Sequence, residues 1–152
     1  MRRPTLAVSI DSEEQLTKVI REHGTLMVSK KEDGIRACTD EFVLLSREGK
    51  RIPNKHLQKE FRLLPAGLEG ELVFSIDGSD KRPPLEHINS IVTSKSKHWP
   101  KRWEPRFCAF DWQPRLGSSQ TFRQRYKQLL KLRDALDDPC FQVINQHEMN
   151  RA

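Results

Sequence analysis

Cysteine is scarce and unpatterned in this sequence. Cys38, Cys108 and Cys140 are far apart and show no CxxC spacing. An odd set at such separations argues against a disulfide framework or a zinc site, and points to a reducing compartment. Long apolar runs are missing as well. The basic opening Met1-Arg2-Arg3-Pro4 is followed by no segment apolar enough for a signal peptide or a transmembrane helix. A soluble, intracellular protein with no membrane partner is expected. No internal repeat and no low-complexity segment is found.

What is present is one domain's worth of chain, 152 residues, long enough to bury a core without disulfides. Charged residues make up 32% and apolar ones 36%. That is polar for a globular chain, yet Leu, Ile, Val and Phe recur in periodic blocks, which sets it apart from disordered sequences. The net charge is +6 and the pI about 9.4. A basic balance suits a polyanionic partner, because phosphate neutralisation with counterion release supplies most non-specific nucleic-acid affinity. Solubility alone explains it equally well.

Local signals divide the chain into short elements. Asp11-Ser12-Glu13-Glu14 opens a helix that Gly24 stops. Thr25–Ser29, Ile35–Thr39 and Phe42–Ser46 read as strands, and Pro53-Asn54 precedes a helix over Lys55–Leu63. Leu68–Ile76 is the most strand-like stretch, and Asp77-Gly78 ends it. A short helix is expected over Leu85–Val92, a basic loop over Thr93–Pro105, and a strand over Arg106–Trp112. Pro114–Ser119 reads as a linker, Thr121–Leu136 as an amphipathic helix, and Phe141–Ile144 as a last strand. Many strands joined by short turns predict an α+β fold of antiparallel β-sheets flanked by helices.

Lys31-Glu32-Asp33-Gly34-Ile35-Arg36 forms a KxDGxR pattern. A lysine at a glycine turn between two strands can offer its amine to a ligand, and as a nucleophile it must first lose its proton. Nearby cations (Lys30, Arg36 and Arg47 are candidates) or desolvation favour that loss. On its own the pattern is equally a solvated polar turn. It is followed by Ser46-Arg47-Glu48-Gly49-Lys50-Arg51-Ile52-Pro53-Asn54 with His56 and Gln58, by Leu68-Glu69-Gly70-Glu71-Leu72-Val73, and by Phe107-Cys108-Ala109-Phe110-Asp111. In this order the four blocks resemble motifs I, Ia, III and IIIa of the covalent nucleotidyltransferases: ATP-dependent DNA ligases, RNA ligases and mRNA capping enzymes. Within that superfamily the sequence is most similar to the small DNA ligases of bacteriophages. The resemblance runs from about Leu6 to the end of the chain.

The resemblance implies a nucleotidyltransferase (ATP-grasp-like) adenylation domain that uses ATP and Mg2+ and seals nicked double-stranded DNA. It also implies a cytoplasmic setting in a bacterial or phage-infected cell. Lys31 matches the lysine that attacks the α-phosphorus of ATP, giving a lysyl-AMP phosphoramidate and pyrophosphate. Lys30, Asp33 and Gly34 flank it, Lys30 as a surface or phosphate-neutralising cation. Ser29 stands where many ligases carry an acidic residue that reads the adenine amine, which leaves ATP against GTP less secured. Arg36 matches an arginine at the nucleotide or at the 5′-phosphate side of the nick. Arg47 matches one at the ribose and phosphate, where a planar guanidinium binds bidentately. Glu71 matches a glutamate that bonds the ribose hydroxyl and helps hold the divalent ion. A glutamate inside an apolar strand is costly to bury unpartnered, which itself argues for a function. Phe110 matches the aromatic that stacks on adenine, although a strand phenylalanine is ordinarily core. Lys50, Arg51, Lys101 and Arg102 are candidate DNA contacts. His98-Trp99-Pro100-Lys101-Arg102-Trp103 suits phosphates and stacking, or a basic loop anchored by its two tryptophans.

Two motifs of the family have no match here: an EGxM-like strand that holds the metal and a KxK-like strand that grips the α-phosphate. Glu148 in His147-Glu148-Met149 lacks the glycine, and Cys140–Gln146 resembles the strand before EGxM. The expectation is therefore a partial adenylation domain over 1–152, monomeric, without the C-terminal OB-fold domain and completed by a missing C-terminal segment. Alternatives are an RNA ligase or capping-type nucleotidyltransferase, and an inactive remnant that binds nucleic acid.

Overall fold

The computed structural model describes residues 8–115 and 119–150, the last without its side chain. The basic stretch Met1–Pro4, Leu6 and the middle of the 114–119 linker lie outside the described residues. The described residues divide into two compact units, one holding Glu32–Val143 and the other residues 8–31 together with residues 144–150.

The larger unit is built on a five-stranded sheet. Its strands are β2 (Ile35–Asp40), β3 (Val43–Ser46), β4 (Leu68–Ile76), β5 (Trp103–Trp112) and β6 (Phe141–Val143), in the order β3-β2-β4-β5-β6. The pairings are antiparallel, as expected, except that β5 and β6 run parallel. A parallel neighbour needs a crossover. The helix α4 (Phe122–Leu136) supplies it, started by a Thr121–Gln124 capping box and ended at Asp137 in the left-handed region. The basic loop expected to reach Pro105 instead turns into strand at Trp103. Pro105 pairs with Phe74, while β6 flanks β5 only at Phe107–Ala109, so the missing N–H of Pro105 falls where no ladder needs it.

Period-two alternation gives the sheet two unlike faces. Ala37, Leu68, Leu72, Phe74, Phe107 and Ala109 point to one side and are 0–1% exposed. There they pack with Leu57 of α2 (Lys55–Glu60), Ile88 and Ile91 of α3 (Leu85–Val92), and Leu129 of α4. Burying one such side chain contributes about 1.5–3 kcal/mol. The opposite face carries the charged residues.

Two buried amides hold the edge of this unit. Asn54 is fully buried; its Oδ1 caps α2 by accepting from His56 and Leu57 N–H. Its Nδ2 donates to the carbonyls of Ile91 and Lys97. Gln58 accepts from Leu44 N–H and donates to the carbonyls of Leu44 and Ile52, satisfying the outer edge of β3. The helix α2 ends at Glu60, earlier than the Leu63 expected from sequence, and Phe61 closes it through Leu57 O.

The smaller unit pairs β1 (Thr25–Val28) antiparallel with β7 (His147–Asn150), a strand not expected from sequence, and places Glu148 opposite Met27. Before β1 lies α1 (Glu13–His23), capped by Ser12 and ended at Gly24 with φ 77°. No helix among the described residues is long and apolar enough to cross a membrane.

Asn54→Ala strips four backbone groups of their partner at once and is expected to cost about 3 kcal/mol. A fall in the urea midpoint at unchanged m-value checks this; an unchanged midpoint contradicts the clamp.

Candidate functional site

The polar face of the five-stranded sheet collects several of the expected residues from three strands. Arg36 of β2 and Glu71 of β4 are direct cross-strand partners, so their side chains leave the sheet on the same side. Glu71 in turn pairs with Cys108 of β5. Phe110 arrives by a different route. The β4–β5 register shifts between Glu69 and Gly70, so Glu69 faces Asp111 while Gly70 faces Ala109. Phe110 is the extra residue of this bulge, and bulges re-aim a side chain. Its half-buried ring lies under the Arg36 guanidinium, whose carbon is 4.3 Å from the ring centroid.

Residues not singled out from sequence complete this face. Glu69 is 2% exposed and sits 3.6 Å from Arg36. Alternation within Leu68-Glu69-Gly70-Glu71-Leu72 carried the signal for it, because both glutamates fall on one face. Glu32 is ion-paired with Arg82, fifty positions away, for which no local signal exists. Arg106 pairs with Glu104 at 3.6 Å. Four carboxylates (Glu32, Glu69, Glu71, Glu104) thus meet three guanidiniums (Arg36, Arg82, Arg106). Burial first, and then the carboxylate of Glu32, push the Cys108 thiol up to about 11.

Two glycines of the motifs have packing reasons. A Cβ on Gly34 would stand 2.5 Å from the Leu72 carbonyl oxygen and 2.7 Å from Val73 Cγ1. On Gly70 it would stand 2.4 Å from the Cys108 carbonyl oxygen and 2.7 Å from the Phe107 ring. Close approach of the backbones to β4 and β5 accounts for both without a ligand.

The remaining candidates lie elsewhere. Ser29, Lys30 and Lys31 follow β1 and are exposed, and the boundary between the two units falls at the Lys31–Glu32 bond. Asp33 is exposed within the larger unit. Arg47 is exposed in the turn after β3; Ser46 pairs with Ala37, so Arg47 emerges at the same end of the sheet as Arg36. Lys50 and Arg51 are exposed on that turn, where Arg51 bridges to Leu45. Lys101 is exposed, and Arg102 is held by three hydrogen bonds to Asp77, which keep the Asp77 carboxyl below its usual range. Trp99 and Trp103 both lie against Phe74, at 5.5 and 5.8 Å between centroids. The tryptophans therefore anchor the basic loop to the core.

For a divalent ion, the described residues hold no group of three or more His, Cys, Asp or Glu able to bind a metal by themselves. Mg2+ is commonly bound through one or two carboxylates plus substrate phosphates. Half-buried Glu71 beside Glu69 fits that sparse donor set.

Two predictions follow from this geometry. Gly34→Ala is expected to destabilise the chain by about 2 kcal/mol or more, read as a lowered urea midpoint. Burial, then Asp138, also raises the Cys140 thiol to about 11, and Cys38 is buried. All three thiols are expected to alkylate slowly with iodoacetamide at pH 8 in the native chain and rapidly once unfolded; fast native labelling of Cys108, mapped by mass spectrometry, contradicts this.

No protein-family profile matches the chain, and no curated protein matches it significantly. Solved structures do. The chain covers 51% of a Chlorella virus DNA ligase-adenylate, using 98% of its own length, with TM-score 0.68 and 21% identity. It covers 46% of a Lig E DNA ligase, using 84% of its own length, with TM-score 0.61 and 30% identity. It covers 54% of the ATP-dependent DNA ligase of bacteriophage T7, solved in complex with ATP, using 93% of its own length, with TM-score 0.54 and 16% identity. The chain matches ATP-dependent DNA ligase adenylation domains in structure and spans about half the length of those proteins.

Proposed function

We propose that this chain, whose fold matches ligase adenylation domains, takes part in ATP-dependent sealing of nicked DNA, with Lys31 as the residue that accepts AMP. The observation that carries the reading is the polar sheet face, where Arg36, Glu71 and the bulge residue Phe110 converge from three strands. In the proposed step the Lys31 amine, having lost a proton to solvent, attacks the α-phosphorus of ATP. A P–N bond forms, the α–β bridging P–O bond breaks, and pyrophosphate leaves with the electron pair. The phosphoramidate then passes AMP to the 5′-phosphate of a nick, and the 3′-hydroxyl displaces it.

Each partner has a physical role in this scheme. Phe110 offers a ring for the adenine, and Arg36 and Arg47 offer planar cations to phosphate oxygens. Glu71 accepts from a ribose hydroxyl and, with the phosphates, would hold Mg2+. The ion, when bound, neutralises the charge on the phosphate chain. Ser29, Lys30, Asp33 and Gly34 shape the turn around the nucleophile. Ser29 is also the position that keeps a GTP-using, capping-type reading in play, since a hydroxyl both donates and accepts.

Incubation with α-labelled ATP and Mg2+, followed by denaturing electrophoresis, tests the proposal. A labelled band is expected and should vanish in Lys31→Ala. A band that persists in Lys31→Ala, or no band from the unaltered chain, overturns it, and a stronger band with labelled GTP reassigns the base. Phe110→Ala is expected to raise the ATP concentration for half-maximal labelling roughly five- to tenfold, from about 1–1.5 kcal/mol of lost stacking. Phe110→Trp should restore it.

A further inference from the structure

The face of the larger unit opposite Arg36, Glu71 and Phe110 carries a second concentration of charge. Residues 55–63 and 93–102 contain seven cations (Lys55, Lys59, Arg62, Lys95, Lys97, Lys101 and Arg102) and one acid, Glu60. Arg102 is committed to Asp77, which leaves six cations against one carboxylate. The whole chain, by contrast, has 27 cations against 21 acids.

The two segments are also locked together. Asn54 donates to the carbonyls of Ile91 and Lys97, Lys55 N–H donates to Lys95 O, and His56 Nε2–H donates to Ser96 O. These bonds fix the backbone from which Lys55, Lys95 and Lys97 project, so a ligand meets cations on a prearranged backbone. Ordering costs that otherwise weaken binding are reduced. Two clefts flank the seam. One, of about 340 Å³, is lined by His56, Lys59, Glu60, Arg62, Leu63, His98 and Trp99. The other, of about 460 Å³, lies across His98 and Trp99 from it and reaches Trp103. The His56 and His98 rings tilt against each other at 4.4 Å, and Leu63 is 78% exposed at the rim. Flat rings and an apolar rim among fixed cations suit a polymer that alternates phosphates with sugars and bases. A small free anion needs none of the apolar lining.

We propose that this seam between α2 and the 93–102 loop is a docking surface for the phosphodiester backbone of a nucleic acid, engaged on the side of the sheet away from the nucleotide face. It rests on the reading above for nucleic acid as the partner, but not on Lys31 chemistry. Contacts to phosphates carry no information about a nick, so intact and nicked duplexes are bound alike.

The test is fluorescence anisotropy with a labelled duplex, intact or nicked, from about 50 to 200 mM salt. Lys59→Ala with Arg62→Ala is compared with Lys127→Ala and Lys131→Ala on α4, which remove equal charge from exposed positions. The first pair is expected to lower the slope of log affinity against log salt by about 2, one per cation, and to weaken binding roughly tenfold at the low-salt end. The second pair should leave the slope as it was. Equal slopes in all three proteins, or an equal loss in both variants, overturns the proposal. So does displacement of the duplex by low-millimolar inorganic phosphate at matched ionic strength, which would assign the seam to a free anion. Labelling of the unaltered chain by α-labelled ATP is read separately. Absent label with a lowered slope sinks the Lys31 reading and leaves this surface standing.

Discussion

The two-sidedness of β4 is the constraint on which the larger unit depends. Leu68, Gly70, Leu72 and Phe74 face the helices, while Glu69 and Glu71 face the other way. The strand is paired along both edges, with β2 and with β5. Its register therefore fixes Arg36 against Glu71 and Glu71 against Cys108. A slip of one residue would turn two carboxylates into the core and two leucines out of it. The same strand cannot accept a methyl group at Gly70, nor its neighbour one at Gly34, so the backbone spacing is as tightly held as the register.

Much of this was legible in the sequence because the signals are local. The Ser12 cap and Gly24 stop of α1, the Thr121 start of α4, and the alternation of β4 are all read within a few residues. Glu71 and Arg36 were marked by their places in the motif blocks. The missed features lack such signals. β6 was expected as a strand, but its parallel pairing with β5 depends on where α4 returns the chain. β7 finds its partner β1 more than a hundred positions away. Trp103–Pro105 carries loop-like composition and becomes strand only because Phe74 and its neighbours offer a ladder. The Glu32–Arg82 pair likewise exists only after β2 and the loop beyond β4 are brought together.

The block that most strengthened the family resemblance turns out to mix structure with chemistry. Ile52, Asn54 and Gln58 are buried, and their contacts are with β3, α3 and the 93–98 loop rather than with any exposed surface. Arg47, Glu48, Lys50, Arg51 and Pro53 of that block remain at the surface. A recurring string of residues can thus mark a folding requirement and a site at once. Deciding which residue belongs to which takes burial and hydrogen-bond partners, and spacing alone does not supply them. The tryptophans of the basic loop make the same point: their rings serve Phe74, and the cations beside them stay exposed.

The guanidinium of Arg36 lying over the Phe110 ring has a consequence for how any ligand enters. That side of the ring is already covered by a planar, delocalised cation, with Glu69 beside it. A flat ligand bound for the same side does not fill a void; it trades places with a resident. The apparent affinity then records the difference between two stacks, and the displaced cation is released next to whatever negative charge the newcomer brings. On the proposed reading, entry and capture become one event, because the group that vacates the ring is itself a cation that can meet a phosphate.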